Sequence, residues 1–369
     1  DRPLTNPAEK YPNMYITQAN VITGWENSTL YTGVWETDNP SVRSGSVSKS
    51  VLFSCPADVW NVDGILGLVR GSNVTWRDGD FTAANLEKGE FYITGTEPKK
   101  VYYRPKDGED ISTHHFEIAD GGPIFSMSRI KHLTFEGLTM VGCGAAAFTS
   151  DGRGINRDGV TGDENDGVYR DDWCNDITLK NCYMKYTRTG TSFKTGENYL
   201  IDNCVCVDAM NGGFGFYGGK GNYPYDERGF PIRNTLTRDS RVARCRSNDG
   251  IVWHSNSPYG DQNHGNRIRW DDVGGNHKVL RCVSANNGEN GFDITSGYDI
   301  TLTGCTTHDN RHAGTTVAHY ARNVKIIDQV SINDDSRRNF GGPLGIGDAR
   351  DILVDNMKAY NPGLRFINI

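Results

Sequence analysis

The chain has 369 residues, of which 36% are hydrophobic and 44 are glycine, and its formal net charge is -7 at pH 7. The glycine content, together with the scarcity of Leu- or Ala-rich runs, predicts an all-β protein with many turns. The acidic balance argues against a nucleic-acid partner, and the lack of an apolar run of about 18 residues argues against a membrane span.

Residues 1–125 show no regular repeat and predict an irregular N-terminal cap. The segments NVTWRDGDF (73–81) and FYITGTEPKKVYYRPKDGEDI (91–111) have the composition of β-strands with a Pro- and Gly-containing turn. A solenoid needs such a cap to cover its first coil. No linker separates this part from residues 126–369, so we expect one continuous unit.

Residues 126–369 contain a repeat. Eight segments align, namely HLTFEGLTMV, NDITLKNCYM, NYLIDNCVCV, SRVARCRSND, HKVLRCVSAN, DITLTGCTTH, NVKIIDQVSI and DILVDNMKAY. One position of the alignment is occupied in turn by Leu138, Cys182, Cys204, Cys245, Cys282, Cys305, Gln329 and Met357. The closest copies are about 22 to 24 residues apart, and a second short strand follows a glycine, as in GFGFYGG, GIVWHSN, GFDITSG and GLRFINI. This period, with no helical pattern, predicts a right-handed parallel β-helix, an all-β solenoid whose stacked coils share one core.

The aligned cysteines are predicted to be buried free thiols. Nine cysteines are an odd number, and side chains stacked in neighbouring coils point in parallel, which suits packing better than the torsion of a disulfide. These cysteines therefore give no indication of the redox compartment.

Three intervals of the repeat are longer than the rest, and in each the excess follows the second strand. The insertions comprise residues 151–172, 217–237 and 254–272. Long loops without their own secondary structure are usually functional, and loops on one corner of neighbouring coils would wall a groove. We therefore expect a binding groove beside the second strands.

Side-chain alternation along the second strand predicts which residues face this groove. The first and third positions after each glycine are mostly apolar and are expected to point inward, so Trp253 is predicted to belong to the core. The second and fourth positions are expected to point outward. This places Lys194, Tyr217 and His254 in one outward column, with Asp293 two residues out of step on the next coil.

Aromatic residues in or beside the insertions are candidates for stacking on sugar rings. Trp173 and Trp270 fit either such a platform or a cover over the core. Polar, glycine-rich sequence surrounds the better platform candidates, which are Tyr217, Tyr223, Tyr225 and Tyr259.

Charged residues near the groove are candidates for acid–base chemistry. His254 fits either a general base or a hydrogen-bonding surface residue. Asp271 and Asp272 are candidates for a pair of hydrolytic carboxylates, but adjacent residues of a strand face opposite sides, so only one of them can lie in the groove. We take Asp272 as that residue.

The segment DGRGINRDGVTGDENDG (151–167) is rich in oxygen ligands and would suit Ca²⁺, with Asp163 and Asp166 as the candidate ligands. It lacks the fixed spacing of a calcium-binding loop, and a solvated turn is the alternative interpretation. No other cofactor is predicted.

The coil pattern over residues 129–369 resembles the right-handed parallel β-helices of carbohydrate-active proteins. These include pectate-type lyases, β-helical glycoside hydrolases and, as the nearest resemblance, the β-helical carbohydrate-binding modules attached to gut-bacterial xylanases. The segment GEFYITGTEPKKVYYRPKDGEDI, followed by IKHLTFEGLTM, is similar to the entry into the helix of large β-helical hydrolases of plant cell-wall sugars. The chain departs from the pectin hydrolases because Asp271 and Asp272 are not followed by G-H-G or R-x-K. It departs from calcium-dependent lyases because the outward neighbours of Lys194 are not Asp.

The resemblance implies two functions. The first is a non-catalytic carbohydrate-binding module that holds a xylan-like plant cell-wall polysaccharide along the groove. This module would be a monomer, covalently attached to a catalytic module, and secreted or displayed on the surface of a bacterium. Its predicted sugar-contacting residues are Lys194, Tyr217, Tyr223, Tyr225, His254, Tyr259, Trp270, Asp272 and Asp293.

The second implied function is an enzyme. A lyase would use Lys194 or His254 to abstract the proton next to a uronate carboxyl, with Tyr217 as the donor to the leaving oxygen. A glycoside hydrolase would instead use Asp272 and Asp293 as its acid and base.

Overall fold

The computed structural model describes residues 16–17, 19–38, 50–56, 67–68, 70–71, 82–94, 100–120, 122–150, 173–194, 196–218, 232–255, 275–295, 297–319, 321–334, 342–361 and 367–368. Apart from two short 3₁₀ turns, Ala83–Asn85 and Ile111–Thr113, the regular elements in these ranges are β-strands. This agrees with the all-β prediction.

Nine strands precede the repeat and form two antiparallel-rich sheets. They are β1 (Ala19–Ile22), β2 (Glu26–Asn27), β3 (Trp35–Asp38), β4 (Ser50–Pro56), β5 (Gly67–Leu68), β6 (Arg70–Gly71), β7 (Glu90–Ile93), β8 (Lys100–Arg104) and β9 (His114–Asp120). One sheet has the order β1-β9-β4-β5 and the other the order β2-β3-β8-β7-β6. Phe91, Tyr103 and Phe116 pack in a buried cluster within this part. The segment NVTWRDGDF lies outside the described residues.

The repeat contains 24 further strands. They are β10 (Phe125–Met127), β11 (Lys131–Glu136), β12 (Thr139–Ser150), β13 (Cys174–Lys180), β14 (Tyr183–Phe193), β15 (Gly196–Asp202), β16 (Val205–Val207), β17 (Gly212–Gly218), β18 (Ile232–Arg233), β19 (Leu236–Arg238), β20 (Arg241–Ala243), β21 (Ile251–Ser255), β22 (His277–Leu280), β23 (Val283–Ala285), β24 (Phe292–Thr295), β25 (Tyr298–Thr303), β26 (Thr306–His308), β27 (Ala313–Ala318), β28 (Arg322–Ile327), β29 (Val330–Ile332), β30 (Gly342–Gly347), β31 (Arg350–Asp355), β32 (Lys358–Tyr360) and β33 (Ile367–Asn368).

These strands build three parallel faces, because each coil contributes one strand to each face. The first face has the order β11-β13-β15-β19-β22-β25-β28-β31. The second runs β16-β20-β23-β26-β29-β32, and the third, called the groove face below, runs β17-β21-β24-β27-β30-β33. The long strands β12 and β14 cross a corner and take part in both of the latter two. Parallel crossovers of this kind are right-handed, and the fold is a right-handed parallel β-helix.

Left-handed backbone at the corners explains the abundance of Asn and Asp. Each coil places residues of positive φ at equivalent positions, and Asn and Asp tolerate that conformation better than other side-chain-bearing residues. Their side chains also bond from coil to coil, as in Asn198 Nδ2 to Asp176 Oδ1 at 2.8 Å and Asn203 Nδ2 to Asn181 Oδ1 at 2.7 Å. The corners therefore form stacked polar ladders on the outside of the solenoid.

The predicted inner column is wrong at one coil. Val205 pairs with Arg241, and Arg241 pairs with Val283, so Ser240 rather than Cys245 lies between Cys204 and Cys282. Ser240 is fully buried, and its hydroxyl accepts from the Cys204 N–H at 3.0 Å and donates to the Arg238 carbonyl at 2.7 Å. A small residue that satisfies its own hydroxyl thus takes the place of a cysteine.

The second strand of one coil was missed in the sequence. β30 (Gly342–Gly347) pairs with β27 on the groove face, and β33 pairs with β30 through Leu344 and Ile367. Ile367 therefore takes the register position of Thr315 and Leu344, whereas counting from Gly363 in GLRFINI assigns that position to Leu364 and makes Ile367 an outward residue. Residues 362–366 lie outside the described residues.

The core follows the predicted alternation. Phe193, Phe214, Phe292 and Ile294 are buried at inward positions. Trp253 is 2% exposed and stacks on Phe216 with ring centroids 5.4 Å apart and an angle of 8° between the planes. The eight cysteines whose side chains are described are all buried free thiols, as predicted.

Candidate functional site

The long segments leave the stack at one corner. The described chain breaks off after Ser150 on β12, after Gly218 on β17 and after Ser255 on β21. In each case it resumes close to the start of a strand on the first face. After β14 and β24 the same corner is crossed within a few residues. The described strand ends on either side of each predicted insertion thus meet at this corner, and most residues of the insertions lie outside the described residues. Several predicted site residues lie outside the described residues, namely Asp163, Asp166, Tyr223, Tyr225, Tyr259, Trp270, Asp271 and Asp272.

The strand register places the predicted outward residues side by side. Tyr217 pairs with His254, and Lys194 follows Phe193, which pairs with the residue before Tyr217. Val252 pairs with Asp293, so Asp293 lies on the next coil and two residues out of step with His254. Lys194 is exposed, whereas Tyr217, His254 and Asp293 are half-buried.

The side chain of Tyr217 folds back over Gly215, two residues earlier on the same strand. A β-carbon placed on Gly215 would lie 2.3 Å from Tyr217 Cε2, so the ring occupies the space above Gly215. The ring centroids of Tyr217 and His254 are 6.4 Å apart. Burial, reinforced by the charges of Asp249 and Asp293, raises the pKa of Tyr217 to about 12. The phenol therefore keeps its proton at neutral pH and is able to donate it.

Asp293 is an outward carboxyl that titrates near neutrality. Its Oδ1 and Oδ2 accept from the Thr295 hydroxyl at 2.8 and 2.9 Å. Burial raises the pKa of Asp293 to about 7, the Thr295 hydrogen bond opposes this, and the charge of Glu289 adds to it. Perturbed carboxyls of this kind are typical of functional sites.

A second carboxyl, Asp249, lies beside Asp293 and was missed in the sequence. It is 5% exposed, and its Oδ1 accepts from Asn290 N at 2.9 Å and from Asn290 Nδ2 at 2.8 Å. Asn290 Oδ1 in turn accepts from the Thr316 hydroxyl at 2.9 Å and from the Ala313 N–H at 3.1 Å. Burial, with the charges of Asp293 and Glu289, raises the pKa of Asp249 well above its usual value.

A polar column borders the groove face on the corner before the second strand. It consists of Arg188, Asn211, Asn248, Glu289 and His312, at equivalent positions of five coils. Asn248 Nδ2 donates to Asn211 Oδ1 at 3.4 Å, and His312 Nδ1 is 3.5 Å from Glu289 Oε1. The sequence signal was present, because each of these residues stands two positions before the glycine of the second strand in TRTG, MNGG, SNDG, GENG and RHAG.

Two tryptophans are buried rather than exposed to the groove. Trp253 belongs to the core, as predicted, and Trp173 is 6% exposed, which fits a cover over the core rather than a sugar platform. Among the described residues, no group of three or more His, Cys, Asp or Glu is arranged to hold a metal ion. Nor does any helix in that part of the chain have the length and apolar character needed to cross a membrane.

Comparisons with known proteins agree with the β-helical fold. A family model described as a right-handed β-helix region matches residues 169–331. No curated protein sequence matches the chain. A solved glycoside hydrolase is similar at 10% identity and a TM-score of 0.46, over 94% of this chain and 83% of its own.

Two further solved structures show a weaker likeness. The catalytic domain of an α-1,3-glucanase in complex with nigerose is similar at 11% identity and a TM-score of 0.42, over 93% of this chain and 78% of its own. A periplasmic alginate epimerase is similar at 9% identity and a TM-score of 0.38, over 63% of this chain and 49% of its own. These values add no argument about chemistry, and the fold rests on the strand registers above.

Proposed function

We propose that the protein binds an extended, uronate-containing polysaccharide on the groove face and cleaves it as a lyase. The observation that carries the proposal is the outward column of Lys194, Tyr217 and His254 on successive coils, with Asp293 on the next coil. These side chains include a proton acceptor, a phenol that keeps its proton and a cation, which are the groups that proton abstraction next to a carboxylate requires.

The spacing of the coils suits an extended sugar chain. Neighbouring strands are about 4.8 Å apart, so Lys194 and the coil of Asp293 are separated by roughly 14 Å. This distance is near the length of three pyranose units. A polysaccharide lying across the strands would therefore meet Lys194, Tyr217, His254 and Asp293 in turn.

The reaction assigned to this column is a β-elimination. His254 removes the proton on the carbon next to the uronate carboxyl, and the electrons of that C–H bond form the new C=C bond. The C–O bond to the neighbouring sugar breaks as Tyr217 donates its proton to the leaving oxygen. Lys194 pairs with the uronate carboxylate, because an ammonium ion offsets the charge that develops there.

The protonation state of Asp293 supports the assignment of a lyase reaction to this column. With a pKa of about 7 it is partly protonated at neutral pH, which lowers its repulsion of an anionic sugar and allows it to donate a hydrogen bond. Hydrolysis by Asp272 and Asp293 stays a prediction, since Asp272 lies outside the described residues.

A non-catalytic binding module is the second candidate, and Tyr217 favours it. The Tyr217 ring packs over Gly215, and an aromatic ring at the surface of a sheet is able to stack on a sugar ring. In this alternative, Lys194, His254 and Asp293 bind hydroxyl groups of a xylan-like polysaccharide. Both functions would use the same face, so the formation of a cleaved product distinguishes the lyase from the binding module.

Paired measurements on the same polymers test the proposal. Affinity gels and product assays are run side by side on polygalacturonate, alginate, arabinoxylan and glucomannan. A lyase yields unsaturated chain ends from a uronate polymer, seen as ultraviolet absorbance and new reducing ends. Retardation on a gel without any product contradicts the lyase and supports the binding module. Reducing ends without unsaturation identify a hydrolase instead.

A further inference from the structure

We propose that Asp249 is held as a neutral carboxylic acid whose O–H donates a hydrogen bond to the carboxylate of the bound uronate sugar. This role rests on the proposed function and adds a catalytic residue on the floor of the groove. The side-chain alternation of the second strand makes no prediction for Asp249, because Asp249 precedes Gly250, the glycine from which the alternation is counted.

The contacts of Asp249 place its carboxyl on the outer side of the groove face. Asn290 joins Asp249 to Thr316, whose position pairs with that of Asp293 in the outward column. The charge of Asp249 also acts on Tyr217, which lies on the same outer surface. Its carboxyl therefore lies under the groove and among the residues assigned to the reaction, not inside the solenoid.

The hydrogen bonds of Asp249 are one-sided. Its Oδ1 takes both donors of Asn290, at 2.9 and 2.8 Å, whereas none of the described residues donates to its Oδ2. The residue is nevertheless more than nine-tenths buried. A carboxylate this deeply buried, to which only Asn290 donates among the described residues, carries a large desolvation cost. The protonated acid lowers that cost, because Oδ1 is then the carbonyl oxygen and Oδ2 carries the hydrogen.

Asp334 shows what a purely structural aspartate looks like in the same solenoid. It is 1% exposed, and its Oδ1 accepts from Asn310 N at 3.0 Å and Nδ2 at 2.9 Å, which repeats the bonds between Asn290 and Asp249. Its Oδ2 is also occupied, since Thr307 donates to it at 2.6 Å and Ser331 donates as well. Within the described ranges, Asp249 keeps the amide contacts but receives no bond from a hydroxyl group, so its second oxygen is open to a ligand.

The charges around Asp249 favour a neutral acid that faces an anionic sugar. Asp293 and Glu289 act on it as neighbouring carboxyls, and burial disfavours its ionised form further. Among the described residues, the titratable groups near this region on the packed coils include Arg188, Tyr217, His254, Glu289, Asp293 and His312. A neutral donor in such a site stabilises the negative charge that grows on the uronate carboxyl as its neighbouring proton is removed.

Two substitutions separate the neutral acid from a carboxylate. Asp249→Asn keeps the acceptor for Asn290 and presents an amide donor in place of the O–H, so we expect its kcat to be lowered, but to stay at least about tenfold above that of Asp249→Ala. Asp249→Ala removes the donor, and we expect kcat to fall by about 10² to 10³ with little change in KM. If Asp249→Asn is as impaired as Asp249→Ala, the residue acts as a carboxylate and the proposal is overturned.

Infrared difference spectroscopy supplies a readout that is independent of activity. The spectrum of the wild type minus that of Asp249→Asn at neutral pH is expected to show the C=O stretch of one protonated carboxylic acid. A carboxylate band in its place contradicts the assignment of Asp249 even if a uronate polymer is cleaved. A protein that neither cleaves nor binds any of the four polymers, but shows the protonated band, instead contradicts the proposed function.

Discussion

The ring of Tyr217 occupies the space above Gly215, two residues earlier on the same strand, so that a β-carbon at Gly215 would lie 2.3 Å from the ring. Gly215 pairs with Ser192 on one side and with Val252 on the other. Among these three neighbours in the outward column, only the glycine leaves this space free for the ring. The absence of a side chain at residue 215 thus allows the position that Tyr217 takes.

Gly215→Ala should therefore impair the site without unfolding the protein. The added methyl group meets the far end of a side chain, which is able to swing away, so we expect the melting temperature to change little. The displaced phenol no longer points at the sugar, and we expect cleavage, or binding for a binding module, to weaken by about tenfold or more. Steady-state kinetics, affinity gels and thermal unfolding check this outcome.

Ser192→Ala is the matched control for this substitution. Ser192 holds the same outward position one coil earlier, and its change removes only a hydroxyl group. Full activity in Ser192→Ala together with full activity in Gly215→Ala would show that the orientation of Tyr217 is irrelevant to function.

Replacing His254 tests the assignment of the base. In His254→Gln we expect kcat for a uronate polymer to fall by at least about 10², since general-base catalysis contributes about that much, while retardation on affinity gels is retained. His308→Gln on the second face is the control, because His308 also points outward but lies away from the groove face. Unchanged cleavage in His254→Gln would transfer the role of base to Lys194.

The outward column could be predicted from the sequence, whereas the Asp249 network could not. Strand alternation is a local rule, so the positions of Lys194, Tyr217 and His254 follow from counting residues after a glycine. Asp249 stands at a corner, where alternation does not apply, and its partner Asn290 is 41 residues away along the chain. Contacts of that separation are set by the stacking of coils, which residue-by-residue patterns do not encode.

The misplaced Cys245 has a similar cause. Aligning the repeat by cysteine alone confuses two corners, because a left-handed residue precedes the inner position at both of them. At the corner before the second face these residues are Asn203 before Cys204, Asp239 before Ser240 and Arg281 before Cys282. Cys245 follows Arg244 at the next corner, where Ala209 and Asn287 hold the equivalent positions.

The pH dependence of cleavage should follow Asp293. Its pKa is raised to about 7, so its carboxyl loses its proton as the pH rises through that value and begins to repel a uronate. We therefore expect kcat/KM to fall above about pH 7, and we expect this fall to disappear in Asp293→Asn. Rates measured across a pH series for both proteins check it.

Thr295→Val should move the fall in kcat/KM along the pH axis in a direction that follows from the pKa of Asp293. The Thr295 hydroxyl donates to both oxygens of Asp293 and lowers its pKa. Without that hydrogen bond the ionised form is less favoured, so the midpoint of the fall in kcat/KM should move to higher pH. A shift to lower pH, or no shift, would show that a group other than Asp293 controls the fall in kcat/KM.

His277 should make the fold sensitive to acid. It is 4% exposed inside the solenoid, and its Nδ1 lies 2.8 Å from the Thr235 hydroxyl. Burial lowers its pKa from 6.5 to about 3. Between these two values the unfolded chain binds a proton that the folded protein does not. The contribution of His277 to the free energy of unfolding is therefore fully present above about pH 6.5 and is lost as the pH falls toward 3.

Denaturant unfolding of the wild type and His277→Gln at a series of pH values measures this contribution. Glutamine keeps a side chain that can bond Thr235 but does not titrate, so the difference in unfolding free energy between the two proteins should be constant above about pH 7 and should shrink as the pH falls below 6.5.

Asp249, Asp293 and Asp334 have raised pKa values and act in the opposite direction, losing their contribution as the pH rises. Because these three are unchanged in the variant, they cancel in the difference. A difference that does not vary with pH would mean that His277 has the same pKa in the folded protein as in the unfolded chain, which contradicts the effect of burial.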